Sequence, residues 1–159
     1  MLQVMRKKAA FTLIELLVVV IIVAVLAAIG IPLMAGQVAR ARNSEAEAGL
    51  GTIRTGLRSF FAERQTYVGA TFANIGVSVD AVGNNNGDLD GRFFDDNDYS
   101  LPAATTALSS TNYCISVIGS GAGAGSEAPK ASQVTGVTRS MDAAGNLYSS
   151  STCTTGLLN

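Results

Sequence analysis

Apolar positions along the chain fall into two regimes. Between Phe11 and Gly36 they run all round, FTLIELLVVVIIVAVLAAIGIPLMAG, interrupted by one formal charge, Glu15. After Gly36 they narrow to a stripe in which Ala46, Leu50, Ile53, Leu57 and Phe60, with Phe61 beside it, repeat at the spacing of one helical face. Together they predict a single helix from Phe11 to about Arg64, roughly 80 Å long at the standard rise. From Leu16 to Ala35 no residue is charged, and that run extends roughly 30 Å, the thickness of a bilayer's hydrocarbon core. It can span a membrane. The stripe of the second half should pack on a soluble domain, leaving Glu47, Gly51, Arg54 and Arg58 toward water or other subunits.

Gly30, Pro32 and Gly36 interrupt the good helix formers, because proline removes a backbone donor and glycine lowers propensity, so a bend or local unwinding is expected there. The alternative is an ordinary kink tolerated in a membrane helix. Gly49, Gly51 and Gly56 weaken the second half and permit close approach of a packed neighbour. Beyond Arg64 the composition turns to Gly, Ser, Thr, Ala and Asn. Strand-like runs lie at Tyr113 to Ile118, Val134 to Met141 and Leu147 to Thr152, the last two joined as a hairpin by Asp142-Ala143-Ala144-Gly145-Asn146. The expected class is α+β: a long N-terminal helix whose second half covers one face of a three- or four-stranded antiparallel sheet. Gly119 to Ser126 reads as a flexible loop. Gln65 to Thr111 is too long for a passive linker.

Arg6, Lys7 and Lys8 precede the apolar run and hold that end in the cytosol, which sends the bulk of the chain outward. A cleaved signal peptide, a plain signal anchor and a leader cut on the cytosolic side all fit this much. Glu15 separates them. A carboxylate within a hydrophobic segment costs about 2 to 3 kcal/mol on insertion scales, with no return in a disposable signal or a simple anchor. Cleavage between Ala10 and Phe11 would create a cationic amine four residues before Glu15, within reach of it in one helix or across two subunits. A carboxyl snorkelling to the cytosolic edge is the bland alternative.

Lys8-Ala9-Ala10-Phe11-Thr12-Leu13-Ile14-Glu15-Leu16-Leu17 resembles the processing site of type IV pilins and the related pseudopilins of type II secretion. The strong likeness covers roughly the first fifty residues; the remainder is alike only in architecture. The resemblance implies a leader over 1–10, removed before Phe11 by a membrane aspartyl peptidase, N-methylation of Phe11, and docking of the incoming subunit through Phe11 and Glu15. It further implies a membrane and fibre-core segment over 11–36, loosened at Gly30 and Pro32 within the filament, an amphipathic continuation over 37–64, an exposed connecting region over 65–111, and a sheet with a disulfide-bounded end over 112–159. Ala10 stands where the family usually has Gly, which implies slower or host-specific processing. The partners implied are identical subunits, the prepilin peptidase and the inner-membrane assembly machinery. The location implied is the inner membrane, single-pass with a cytosolic N-terminus, and then an extracellular filament. A pseudopilin and a membrane-anchored binding domain that never polymerises are the competing functions. Surfaces or DNA as further partners, motility and glycosylation leave no readable mark.

The remaining composition narrows the chemistry. There is no histidine, which removes the usual nucleophile systems and every histidine metal site, so no enzymatic function and no cofactor are assigned. Eleven Lys and Arg stand against twelve Asp and Glu, for a net charge of -1 that falls to -4 without Arg6, Lys7 and Lys8. Cys114 and Cys153 lie on the outward side, where an oxidising compartment lets them pair; two buried thiols are the alternative. A bridge of that span is worth about 3 to 4 kcal/mol by loop closure, and it resembles the C-terminal loop of many type IV pilins. Asn86-Gly87-Asp88-Leu89-Asp90-Gly91 alternates oxygen donors like the opening of a calcium loop, but Asn97 occupies the place of the bidentate Glu. A solvated acidic loop is the better reading.

Overall fold

The computed structural model describes residues 11–79, 87–102, 108–119, 136–154 and 157–158. The 1–10 leader with Ala10, Asn86 of the calcium-like motif, residues 120–126 of the expected loop and Val134 of an expected strand lie outside them. The first element is α1, Leu13–Arg64, which contains Pro32 without interruption. It ends where Gln65 takes a left-handed conformation, φ 57°, and returns its N–H to the Phe61 carbonyl at 2.8 Å. Two compact units divide the chain between Ala39 and Arg40. In the first, every large apolar side chain from Phe11 to Val38 is exposed.

The second unit has one core. Ala46, Leu50, Ile53, Leu57 and Phe60 of α1 are buried in it, which is the stripe the 3–4 spacing predicts. Opposite them stands an antiparallel sheet of five strands in chain order: β1 Tyr99–Ser100, β2 Cys114–Gly119, β3 Val137–Asp142, β4 Leu147–Tyr148 and β5 Leu157–Leu158. In register, Tyr99 faces Val117, which faces Arg139, while Ile115 faces Met141. Tyr99, Ile115, Val117 and Met141 all enter the core with the helical stripe. The expected strand at Leu147 stops at Tyr148, because the chain bends after it to bring Cys153 to Cys114 on β2.

Two residues expected to face water or other subunits turn to the sheet instead. Arg54 donates to the Ala144 carbonyl at 2.8 Å, and Glu47 Oε1 stands 3.9 Å from Arg139 Nε. Both lie beside the core because β3 and the turn after it pack on this part of the helix, Arg139 of β3 facing Glu47 and the turn at Ala144 facing Arg54. Arg58 is exposed as expected.

Close approach also explains two of the three glycines in the second half of α1. A Cβ on Gly49 would collide with the Tyr99 ring, and one on Gly56 would meet the Ile75 carbonyl oxygen at 2.5 Å; at Gly51 nothing lies within 4 Å. The β3–β4 hairpin is closed by Asp142. Its Oδ1 accepts from the N–H groups of Gly145 (2.8 Å) and Asn146 (2.9 Å), and its Oδ2 from Asn146 Nδ2 and Tyr148 Oη, both at 2.9 Å. Gly145, at φ 96°, supplies the left-handed residue of the turn. Burial pushes the Asp142 carboxyl up, but the bonds from Asn146, Tyr148 and Gly145 together outweigh it and hold it below its ordinary value.

Gly51→Ala should therefore raise stability by up to about 1 kcal/mol through helix propensity, whereas Gly56→Ala should lower it by about 1 to 3 kcal/mol through overpacking on backbone. Thermal melts of the disulfide-intact chain in detergent compare the two. Asp142→Asn should cost about 1 to 2 kcal/mol near neutral pH. Because the folded-state pKa is depressed, that difference is present above the unfolded carboxylate value near 4 and is lost as pH falls through the lower folded value. Melts of both proteins between neutral and strongly acidic pH should converge at the acid end.

Candidate functional site

The first turn of α1 is built around Glu15. Thr12 precedes the helix and Glu15 is its third residue, the spacing of a capping box. Glu15 Oε2 accepts from both the Thr12 N–H and the Thr12 hydroxyl at 2.8 Å, and the Thr12 Oγ1 accepts from the Glu15 N–H at 3.3 Å. The carboxylate expected to seek the Phe11 amine is thus held by Thr12 within the single chain. Thr-x-x-Glu before an apolar run was the available signal for this partner, and charge-pair reasoning alone passes over it.

Phe11, Ile14, Glu15, Val18 and Val19 line a shallow hollow in which, among the described residues, the Glu15 carboxyl is the one ionisable group. Phe11 is 75% exposed and Ile14 69%. Helix α1 is long and apolar enough to cross a membrane by length and composition. Gly30 and Pro32 lie within it, away from the cap.

In the second unit the polar groups serve the fold. Glu45 spans from α1 to the connecting region, its Oε1 accepting from the N–H groups of Phe93 (2.7 Å) and Phe94 (2.8 Å) and its Oε2 from that of Arg92 (3.2 Å). Beside it, burial lifts the Tyr99 phenol far above its ordinary value, with the Glu45, Asp98 and Asp96 carboxylates adding to the effect, so the hydroxyl stays protonated and donates to the Glu45 carbonyl at 3.4 Å. Sequence reasoning missed Glu45, whose role depends on a loop more than forty residues away.

The acidic segment is likewise knitted to backbone. Asp88 Oδ2 accepts from Ser78 N–H at 2.7 Å, Asp90 Oδ2 from Gly87 N–H at 3.0 Å, Asp96 Oδ1 from Leu89 N–H at 3.1 Å and Asp98 Oδ2 from Asp95 N–H at 3.1 Å. Asp95, Asp96 and Asp98 are buried, so this segment is a packed set of carboxylate-closed turns rather than a solvated loop. Cys114 and Cys153 form a disulfide with Cα atoms 5.9 Å apart, closing a span of 39 residues.

A family model described as the prokaryotic N-terminal methylation motif matches residues 5–31. The chain is also 44% identical over 68 residues to the type IV major pilin protein PilA of Myxococcus xanthus (strain DK1622), a match spanning 43% of this chain and 30% of that relative. No solved structure matches.

Removing the cap by Thr12→Ala should weaken the first turn by about 1 kcal/mol. Amide exchange at Ile14 and Glu15 of the full chain in micelles should then quicken about five-fold, with exchange in the Leu50 to Leu57 segment unchanged.

Proposed function

We propose that the chain is a type IV pilin, the repeating structural subunit of a pilus, and that its work is mechanical rather than enzymatic. The observation that carries this reading is a single carboxylate, Glu15, at the start of a helix whose large apolar side chains are all exposed from Phe11 to Val38. Such a rod suits lipid and the rods of other copies equally well, and water not at all.

The subunit waits in the inner membrane, spanning it with 16–35, its N-terminus in the cytosol. A prepilin peptidase cuts between Ala10 and Phe11, and the new amine at Phe11 is methylated. The assembly machinery then moves the chain from lipid into a helical homopolymer whose core is made of 11–36 segments. Glu15 receives the amine of a neighbouring subunit at the hollow beside Phe11, which sets axial register. Gly30 and Pro32 are the points at which an otherwise unbroken helix loosens to fit the packed core, since the carbonyl facing Pro32 has no N–H to bind. The Cys114–Cys153 bridge braces the part of the head that the fibre exposes, and it favours an external pilus over a pseudopilin stub.

Glu15→Ala should leave processing and membrane anchoring intact while filament yield falls by two orders of magnitude or more, because the neighbour's amine is left buried without its counter-charge at a cost of about 3 to 5 kcal/mol. Sheared surface material, weighed and imaged by electron microscopy, reads the yield. Mass spectrometry of the mature chain should find N-methylated Phe11 as its first residue. Normal piliation of the Glu15 variant, or a different first residue, would overturn the reading.

A further inference from the structure

Three guanidinium groups in the second unit have no part in the fibre mechanism. Arg40 and Arg42 are the first charges after the apolar run, and both belong to α1. Arg92 comes from the connecting region, yet it meets Arg42 at one ring: the guanidinium carbons of Arg42 and Arg92 each lie 5.6 Å from the centroid of the buried Phe93. The Glu45 carboxylate makes this arrangement by holding the N–H groups of Arg92, Phe93 and Phe94 against the helix. Its oxygens are thereby engaged with backbone, and among the described residues no carboxylate forms an ion pair with Arg40, Arg42 or Arg92. Arg40 and Arg92 are exposed, while the Arg42 Nε is buried with no hydrogen-bond partner among the described residues. Cations here also oppose the positive-inside bias that orients the chain. They act against insertion and need an anion in return.

We propose that Arg40, Arg42 and Arg92 form a docking surface for the phosphates of anionic phospholipid headgroups in the leaflet the head faces, holding the head to the bilayer while the subunit waits for assembly. This rests on the reading that 16–35 spans the membrane. With Ala35 at the edge of the hydrocarbon, Arg40 follows by five residues, or about 7.5 Å of helix, which is the depth of the headgroup layer. Arg42 follows Arg40 by two residues, or about 3 Å of helix, and its side chain is long enough to reach back. Stacking on Phe93 holds Arg92 against the same ring as Arg42. Planar guanidinium groups suit phosphate, which accepts two parallel N–H bonds from each. In the fibre the headgroups are gone, so the surface acts only in the stored subunit.

The test uses the full mature chain in lipid nanodiscs that carry a nitroxide on a fraction of the headgroups. Paramagnetic broadening of the Arg92, Phe93 and Phe94 amides reports the approach of the head to the leaflet. In discs with about one third phosphatidylglycerol the broadening should be strong. It should fall about five-fold for each guanidinium removed in the series Arg92→Gln, then Arg40→Gln, then Arg42→Gln, stay unchanged in Arg58→Gln, and fade between about 50 and about 500 mM salt. Zwitterionic discs should show little of it. Equal broadening in both lipids, or indifference to salt, would overturn the proposal without recourse to any variant. Broadening that depends on the number of chains per disc and not on lipid charge would also overturn it, assigning the surface to a second copy. A chain that does not enter the discs refutes the membrane-spanning reading instead.

Discussion

Eighteen large apolar side chains between Phe11 and Val38 stand exposed on one helix, and every other property of the molecule is arranged around what can cover them. In water each costs about 1.5 to 3 kcal/mol relative to burial, a sum several times the 5 to 15 kcal/mol by which a whole domain is stable. The rod therefore exists only in lipid or against other rods. Between those two environments the apolar contribution nearly cancels, since hydrocarbon tails are as apolar as leucine. Hydrophobicity makes both states possible and chooses neither. Direction must come from polar groups, and in the rod there is one ionisable candidate, Glu15.

The second half of α1 obeys the opposite rule. There the apolar residues are confined to a stripe, and the stripe is consumed by the sheet. Gly49 and Gly56 let Tyr99 and Ile75 come down onto the helix, and Glu45 ties the connecting region to it through three backbone N–H groups. One helix thus joins a segment whose large apolar side chains are all exposed to a segment whose apolar stripe is covered within the chain. The disulfide and the Asp142-closed hairpin finish a head whose core runs from the stripe to Phe94, Tyr99, Tyr113 and Ile115. Covalent and charge-assisted contacts add to that core.

Much of this arrangement was legible in the sequence, and the failures have a common cause. The helix, its change of regime, the buried stripe and the Asp142 hairpin each rest on local periodicity or turn chemistry, which a linear reading sees directly. The strands Tyr99–Ser100 and Leu157–Leu158 are two residues long and carry no alternation to read. Arg54 and Glu47 look like solvent-facing charges until β3 and the turn after it are known to pack over them. The aspartates from Asp88 to Asp98 look like a solvated run, because backbone N–H groups, which have no letter in the sequence, are what they bind. Thr12 is different: its cap on Glu15 was written in the spacing, and a more conspicuous charge pairing drew attention from it.

That cap bears on how the proposed fibre stays dynamic. Within one chain the Glu15 carboxylate already accepts two bonds from Thr12, so it does not enter the membrane as a bare charge, and part of its insertion cost is offset before any neighbour arrives. A neighbouring amine then competes with Thr12 rather than rescuing an unsatisfied ion. Its net gain is the difference between two satisfied states, smaller than the full strength of a buried pair. Register is still selective, because a misplaced subunit leaves its amine without a carboxylate even though Glu15 keeps its cap. The penalty for error thus falls on the cation, and the carboxylate is kept serviceable in lipid and in fibre alike. In the proposed fibre a subunit moving between the two environments therefore keeps its carboxylate satisfied in both.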